Sequence, residues 1–256
     1  MTLTIFVDTD VLSATNLANN VEAANRHLVY WAPKWGITAV ATTDPKIPAD
    51  IVAHITNKFR HKGAYGYHTV ETGIVRTYNV DGSRSLVATM NHLPTDGTPT
   101  AYISPATLLN KIYGYYAPAT YSRAFTILGK VVRPSKLRNS ARYREGVVTV
   151  LVHELMEILI DQNIDKFSAP DKLQQRWLIE VADHVSGYLS IDRFAGLTCV
   201  IPAGTFPNYY LLDSQGEWDS TASTVSPFDT TSPSFYGFAV DSKGVQIPIV
   251  KGSIHH

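Results

Sequence analysis

The sequence predicts an α+β domain followed by a loop- and β-rich C-terminal region. Three observations predict it. In the first half, short runs of β-branched and aromatic residues interleave with segments of helical period. A nearly all-apolar stretch, VVTVLVHELMEILID from Val147 to Asp161, is too long for a strand and apolar nearly all round, as in a buried helix. From Asp213 the composition shifts to Ser, Thr, Pro and Gly, punctuated by Trp218, Phe228, Phe235, Tyr236 and Phe238. The expected organisation is therefore a domain over 1–212 and an aromatic extension over 213–256, packed on that domain or on neighbouring subunits.

The elements follow in order. Leu3 to Val7 alternates and is β-rich, so a strand is expected. NLANNVEAANRHLVYWA puts Leu17, Val21, Ala24 and Leu28 on one helical face. WGITAVATT predicts a second strand. PADIVAHITNKF predicts a second helix, with Pro48 in its first turn. GAYGYHTVETGIVRTYNV carries β-type residues broken by Gly73, as in a hairpin. SPATLLNKIYG predicts a short helix with Ser104 as N-cap and Pro105 at the first helical position. YSRAFTILGKVV is ambiguous, and RPSKLRNSARYREG is a basic, polar connection. After Asp161, QNIDKFSAPDK reads as a loop. LQQRWLIEVADHVSGYLSI fits either period: Trp177, Ile179 and Val181 alternate like a strand, and the wider run fits a helix. GLTCVIPAGTF predicts a strand ending at Pro202, and FAVDSKGVQIPIV a last hairpin.

Composition narrows the function. Of 256 residues, 45% are hydrophobic and 17% charged, enough apolar matter for a real core. The formal net charge is zero, which removes the electrostatic case for nucleic acid. Cys199 is the one cysteine, so no intrachain disulfide forms. MTLTIFVDTD lacks a basic n-region, so a first strand is expected there and not a signal peptide. No apolar run reaches the length of a membrane span. The expectation is a protein made in a cytoplasm.

The chemistry gathers in the apolar stretch. His153 and Glu157 are four residues apart and share one helix face; Glu154 is offset by about 100°. This is HExxE, the metalloprotease pattern HExxH with Glu in place of the second His. Two ligands at i and i+4 grip one ion from one helix, and the Glu after the first His takes the proton of the attacking water. A cation also explains buried carboxylates, which are costly without one. With seven Glu and nine His in the chain, chance gives this spacing roughly once in a hundred such sequences or less. The competing reading pairs Glu154 and Glu157 with Arg142, Arg144 or Arg176 and makes His153 a core histidine.

A second cluster, RWLIEVADHVSG, holds Glu180, Asp183 and His184. Either Glu180 binds the ion and Asp183 orients His153, or the roles are reversed. On a regular strand the two would point to opposite faces. Asp161, one further turn along from Glu157, is a candidate supporting residue or a helix-end polar residue. His68 is a candidate remote ligand or substrate contact. Tyr188 and His184 are candidates to steady an oxyanion. One nitrogen with two or three carboxylates suits zinc first, then Mn²⁺ or Ca²⁺. Such an anionic set makes bound water less acidic than a His-rich set does.

The sequence resembles a family of mostly uncharacterised bacterial and tailed-phage proteins with a zincin-like signature. The resemblance runs through APKWGITA, GAYGYH, HELMEILID, EVADHVSGYLSI, LTCVIPAGTF and SPFDTTSPSFYGF, about two thirds of the chain. Members often carry Asp-Pro after the HExxE helix and Pro after ExxD; Gln162 and His184 stand there in this chain. The resemblance implies a zincin-like α+β domain with a metal at His153, Glu157 and the Glu180/Asp183 pair. It also implies a virion- or tail-associated protein with other subunits, or further copies of itself, as partners. Two functions are thus expected: a metal-dependent peptidase with Glu154 as general base, or a structural virion protein that reuses the fold, its metal structural or absent. A carbohydrate- or envelope-binding module, suggested by the 11% aromatic content, is less favoured than a purely structural use of those rings.

Overall fold

The structure, a computed structural model, describes residues 2–56, 66–69, 75–78, 84–87, 98–104, 120–121, 125–127, 130–132, 146–194 and 197–252. The chain begins with β1 (Thr2–Thr9), α1 (Ala14–Trp31), β2 (Thr38–Thr42), β3 (Ile51–Ile55) and β4 (Gly66–Thr69). There follow β5 (Val75–Tyr78), β6 (Arg84–Val87), β7 (Thr100–Ile103), β8 (Thr120–Tyr121), β9 (Phe125–Ile127) and β10 (Lys130–Val132). Then come α2 (Val147–Ile160), β11 (Phe167–Pro170), β12 (Arg176–Leu178), β13 (Leu189–Phe194), β14 (Leu197–Pro202), β15 (Phe238–Val240) and β16 (Gln246–Pro248). The described residues are thus a mixed α+β structure.

Contacts divide the chain into two units, and the division passes through β4 and through α2, after Leu155. The first unit centres on β1, flanked in parallel by β2 and β3 within the sheet order β2-β1-β3-β7-β4. Helix α1 makes the crossover from β1 to β2, as parallel neighbours require. Ser13 caps it by accepting from the Asn16 N–H at 3.3 Å. The predicted apolar face holds: Val21, Ala24 and Leu28 are buried, with Ile5, Val7, Trp31, Ile51, Ala53 and Ile55. A second sheet in this unit, β13-β14-β8, receives Thr149 of α2, whose hydroxyl donates to the Val200 carbonyl at 2.8 Å.

The second unit is built on the antiparallel sheet β11-β12-β15-β16 and on long loops. Its centre is aromatic. The Trp177 ring meets Phe228 at 4.9 Å and His184 at 5.5 Å, both edge-on.

Three expectations change. The segment predicted as a second helix is β3. Ile51, Ala53 and Ile55 are buried while Val52 and His54 are half-buried, a period of two that fits pairing with β1. The hairpin predicted around Gly73 is not formed by β4 and β5: β4 joins the five-stranded sheet, and β5 pairs with β6. The loop predicted after Asp161 contains β11, which pairs with β12 across a register shift. The ambiguous YSRAFTILGKVV holds β8 and the antiparallel pair β9–β10. The helix predicted after Ser104, and the basic connection before α2, lie outside the described residues. The expected last hairpin is β15–β16.

Candidate metal centre

Helix α2 is apolar because most of its surface is covered: Val147, Val148, Leu151, Val152, Leu155, Met156 and Ile158 are fully or nearly buried. Among them Glu154 and Glu157 are each only 4% exposed, while His153 is half-buried. Asp161 follows the last turn. Its carboxylate accepts from the N–H groups of Asp165 at 3.0 Å and Lys166 at 2.8 Å, and Lys166 Nζ donates to the Ile160 carbonyl. These bonds close the end of α2. Burial raises the Asp161 carboxyl above its ordinary range, and the two N–H donors oppose that shift.

Glu157 is where the charged groups meet. Its Oε1 accepts from the Asp183 N–H at 3.2 Å, and its Oε2 lies 3.7 Å from Nδ1 of His68. Asp183 opens a short 3₁₀ turn, Asp183–Val185, which follows β12 after four residues of irregular chain. That break in regular structure brings Asp183 round to Glu157. One ligand atom each from His153, Glu157 and Asp183 lie within 4.8 Å of one another. A second group, His68, Glu154 and Glu157, meets the same limit. Glu157 belongs to both.

Glu180 adds a further buried acid. Its carboxyl is pushed well above the usual range, first by burial and next by the negative charge of Glu157; His68 acts in the opposite direction. The structure therefore brings Glu157, Glu180, Asp183 and His68 together and groups Asp183, rather than Glu180, with His153.

The other predicted residues have different settings. His184 is fully buried and belongs to the aromatic cluster: its ring stacks on Tyr209 and on Phe235, and Nδ1 lies 2.8 Å from the Tyr210 hydroxyl. Burial holds it neutral, with its pKa pulled down to about 4. The Tyr188 hydroxyl lies 3.4 Å from Thr231 Oγ1 in an exposed position. Arg176, expected as an ionic partner for the α2 acids, donates Nε to the Ser168 carbonyl at 3.2 Å.

Two residues were missed from sequence. Tyr210 accepts a hydrogen bond from Thr205 Oγ1 at 3.2 Å. Its pKa is raised by burial and then by Glu180, Glu157 and Asp183, which places the hydroxyl in the field of the acid cluster. Nothing in PNYY marks that role. Gly66 carried a signal: it is a glycine inside a strand, two residues before His68. A Cβ there would come within 2.4 Å of Glu154 Oε1, so only a glycine leaves room for that carboxylate.

The donor set fits a divalent ion. Buried acids crowd one another around Glu157, and a divalent cation would offset their mutual repulsion; Arg142 and Arg144, expected as alternative partners, lie outside the described residues. One imidazole with two carboxylates is a set that zinc and manganese both accept. No family model, no curated protein and no solved structure matches this chain.

Proposed function

We propose that the protein is a metal-dependent hydrolase of zincin-like type, acting on peptide bonds, with its ion held by His153, Glu157 and Asp183. One observation carries the reading: the ligand atoms of these three residues lie within 4.8 Å of one another, although Asp183 is remote in sequence from the HExxE helix. A bound zinc ion supplies a Lewis acid that polarises the scissile carbonyl and acidifies water. The chain's residues do the rest. His153 and Glu157 hold the ion from one face of α2, and the Asp183 N–H fixes the orientation of Glu157. Glu154 accepts the proton of the attacking water and returns it to the leaving amine. The missing side chain at Gly66 leaves the space that the Glu154 carboxylate occupies.

Elemental analysis of protein purified without added metal tests this. The expected result is near one equivalent or more of zinc in the wild type, lost in Glu157→Ala. Glu154→Gln is expected to keep the metal and lose peptide cleavage. Folded wild type without metal overturns the reading.

The second reading is a structural protein of a tailed-phage virion in which the ion is a clip. The deep burial of Glu154 and Glu157 favours it, since structural sites are closed by protein ligands. It predicts loss of stability on chelation with no cleavage of any peptide in a library.

A further inference from the structure

We propose a second site, apart from the metal centre, at which Asp8, His54 and Tyr102 bind the adjacent hydroxyls of a sugar or nucleoside. All three residues belong to the first unit, and the site does not rest on the metal-centre reading.

The place follows from the topology. In the order β2-β1-β3, α1 carries the chain from β1 to β2 on one side, and the chain then returns to β3 on the other side of β1. The carboxyl ends of β1 and β3 therefore flank a switch point, where open α/β sheets take small ligands. Asp8 and His54 are the next-to-last residues of these two strands and direct neighbours in the register. Alternation puts them on the face opposite the buried Val7, Ala53 and Ile55, beside the register pair Phe6 and Val52. Asp8, His54, Phe6 and Val52 are only half-buried, so this part of the face is reached from solvent.

The chemistry follows from what the three side chains leave unused. Asp8 Oδ1 pairs with Nδ1 of His54, which leaves the second carboxylate oxygen and Nε2 for a ligand. The His54 ring lies 5.5 Å from the ring of Tyr102, which stacks on Tyr67 at 5.0 Å. Tyr102 is only 4% exposed, and its hydroxyl is buried without a hydrogen-bond partner. A buried hydroxyl left unpaired costs stability, and a ligand that bonds it recovers that cost. Burial first, and the charge of Asp8 next, push the phenol up to about 12, so the hydroxyl keeps its proton to donate.

A ligand hydroxyl suits all three groups. The Asp8 carboxylate takes a donor. Nε2 donates or accepts according to the charge and tautomer of the ring, and a hydroxyl answers either state. The phenol does both. The negative charge of Asp8, with Asp10 two residues on, disfavours an anion. Side chains this close together are spanned by neighbouring hydroxyls on one small ring, which sugars and ribosides carry.

Titration calorimetry with adenosine and with D-ribose tests the site, with and without EDTA; 2′,3′-dideoxyadenosine is the control that lacks the hydroxyls. The expected result is binding that EDTA leaves intact, absent for the dideoxy compound, roughly tenfold weaker in Tyr102→Phe and weakened at least as much in Asp8→Asn. Tyr102→Phe removes only the unpaired hydroxyl and is expected to fold, which circular dichroism checks; should it fail, Asp8→Asn decides. Binding of both probes assigns a sugar ligand, and binding of adenosine alone a nucleoside. Binding of neither probe, equal binding of the dideoxy compound, or unchanged affinity in the folded variants overturns the site. Binding that EDTA abolishes belongs to the metal centre and overturns it as well.

Discussion

Among the described residues, the buried aspartates of the loops and the buried acids around Glu157 have contrasting surroundings. In the loops after β14, Asp219 is fully buried and accepts five hydrogen bonds, from Thr221 N and Oγ1, Ser223 N, and Thr224 N and Oγ1. Asp229 accepts from the N–H groups of Val225 and Thr231. Asp171, in the turn between β11 and β12, accepts from Leu173 N, Gln175 N and the Trp177 indole. Each charge is surrounded by donors that the chain itself supplies. Around α2 the acids face one another: Glu157 stands between His68 and Asp183, and its charge raises the Glu180 carboxyl. The loop aspartates are architecture, because donors replace the water they lost. The acids around Glu157 repel one another, and their grouping with imidazoles is one that could hold a divalent cation.

That contrast makes removal of a loop aspartate the largest effect. Asp219→Ala leaves five donors without their acceptor and is expected to cost about 4 kcal/mol, seen as a lower urea midpoint at unchanged slope. A loss under about 1 kcal/mol would remove the distinction between the two regions.

Acid should act next most strongly. His184 is buried neutral with its pKa lowered from 6.5 to about 4, so its contribution is complete above the unfolded value and is lost as pH falls from 6.5 toward 4. The expected loss is on the order of 3 kcal/mol. His184→Phe keeps the stacking on Tyr209 and Phe235 and should flatten stability across that window. An unchanged pH profile in the variant would assign the acid sensitivity to other groups.

Neutralising an α2 acid should have the opposite sign from a loop substitution. In chelated protein, Glu157→Gln keeps an acceptor for the Asp183 N–H and removes a crowded charge, so stability rises by about 1–2 kcal/mol. The same variant no longer gains stability from added zinc. A destabilised, zinc-responsive Glu157→Gln would place Glu157 with the loop aspartates. The smallest change in stability is expected for Gly66→Ala. Its Cβ would fall 2.4–2.8 Å from Glu154 Oε1, Cγ and Cδ, so that side chain must turn aside, costing about 1 kcal/mol while disturbing the metal content.

What could be read from sequence was local. The HExxE helix was legible because its run of apolar residues needs one period, and His153 and Glu157 share a face by helix geometry alone. The α1 face was legible for the same reason. Strand β3 was misread because PAD at 48–50 imitates a helix start, and five residues of Ile, Val, Ala and His do not outweigh it. Its parallel partner β1 decided the matter, and that pairing is non-local. The partner of β5 was equally hidden, since β6 lies beyond the turn that Gly73 suggested.

By itself the sequence determined an α+β composition, one buried helix with three ionisable groups, and a set of acids downstream able to complete a ligand shell. Only the tertiary structure decided which acid meets Glu157. The 3₁₀ turn at Asp183–Val185 turns Asp183 toward Glu157, which neither a regular strand nor a regular helix predicts. Only the tertiary structure brought His68 from β4 to the same carboxylate, held by the Asp161 carbonyl at the end of α2. Helical spacing is written in a few consecutive residues. Contacts between a strand, a helix end and a turn depend on how the whole chain closes.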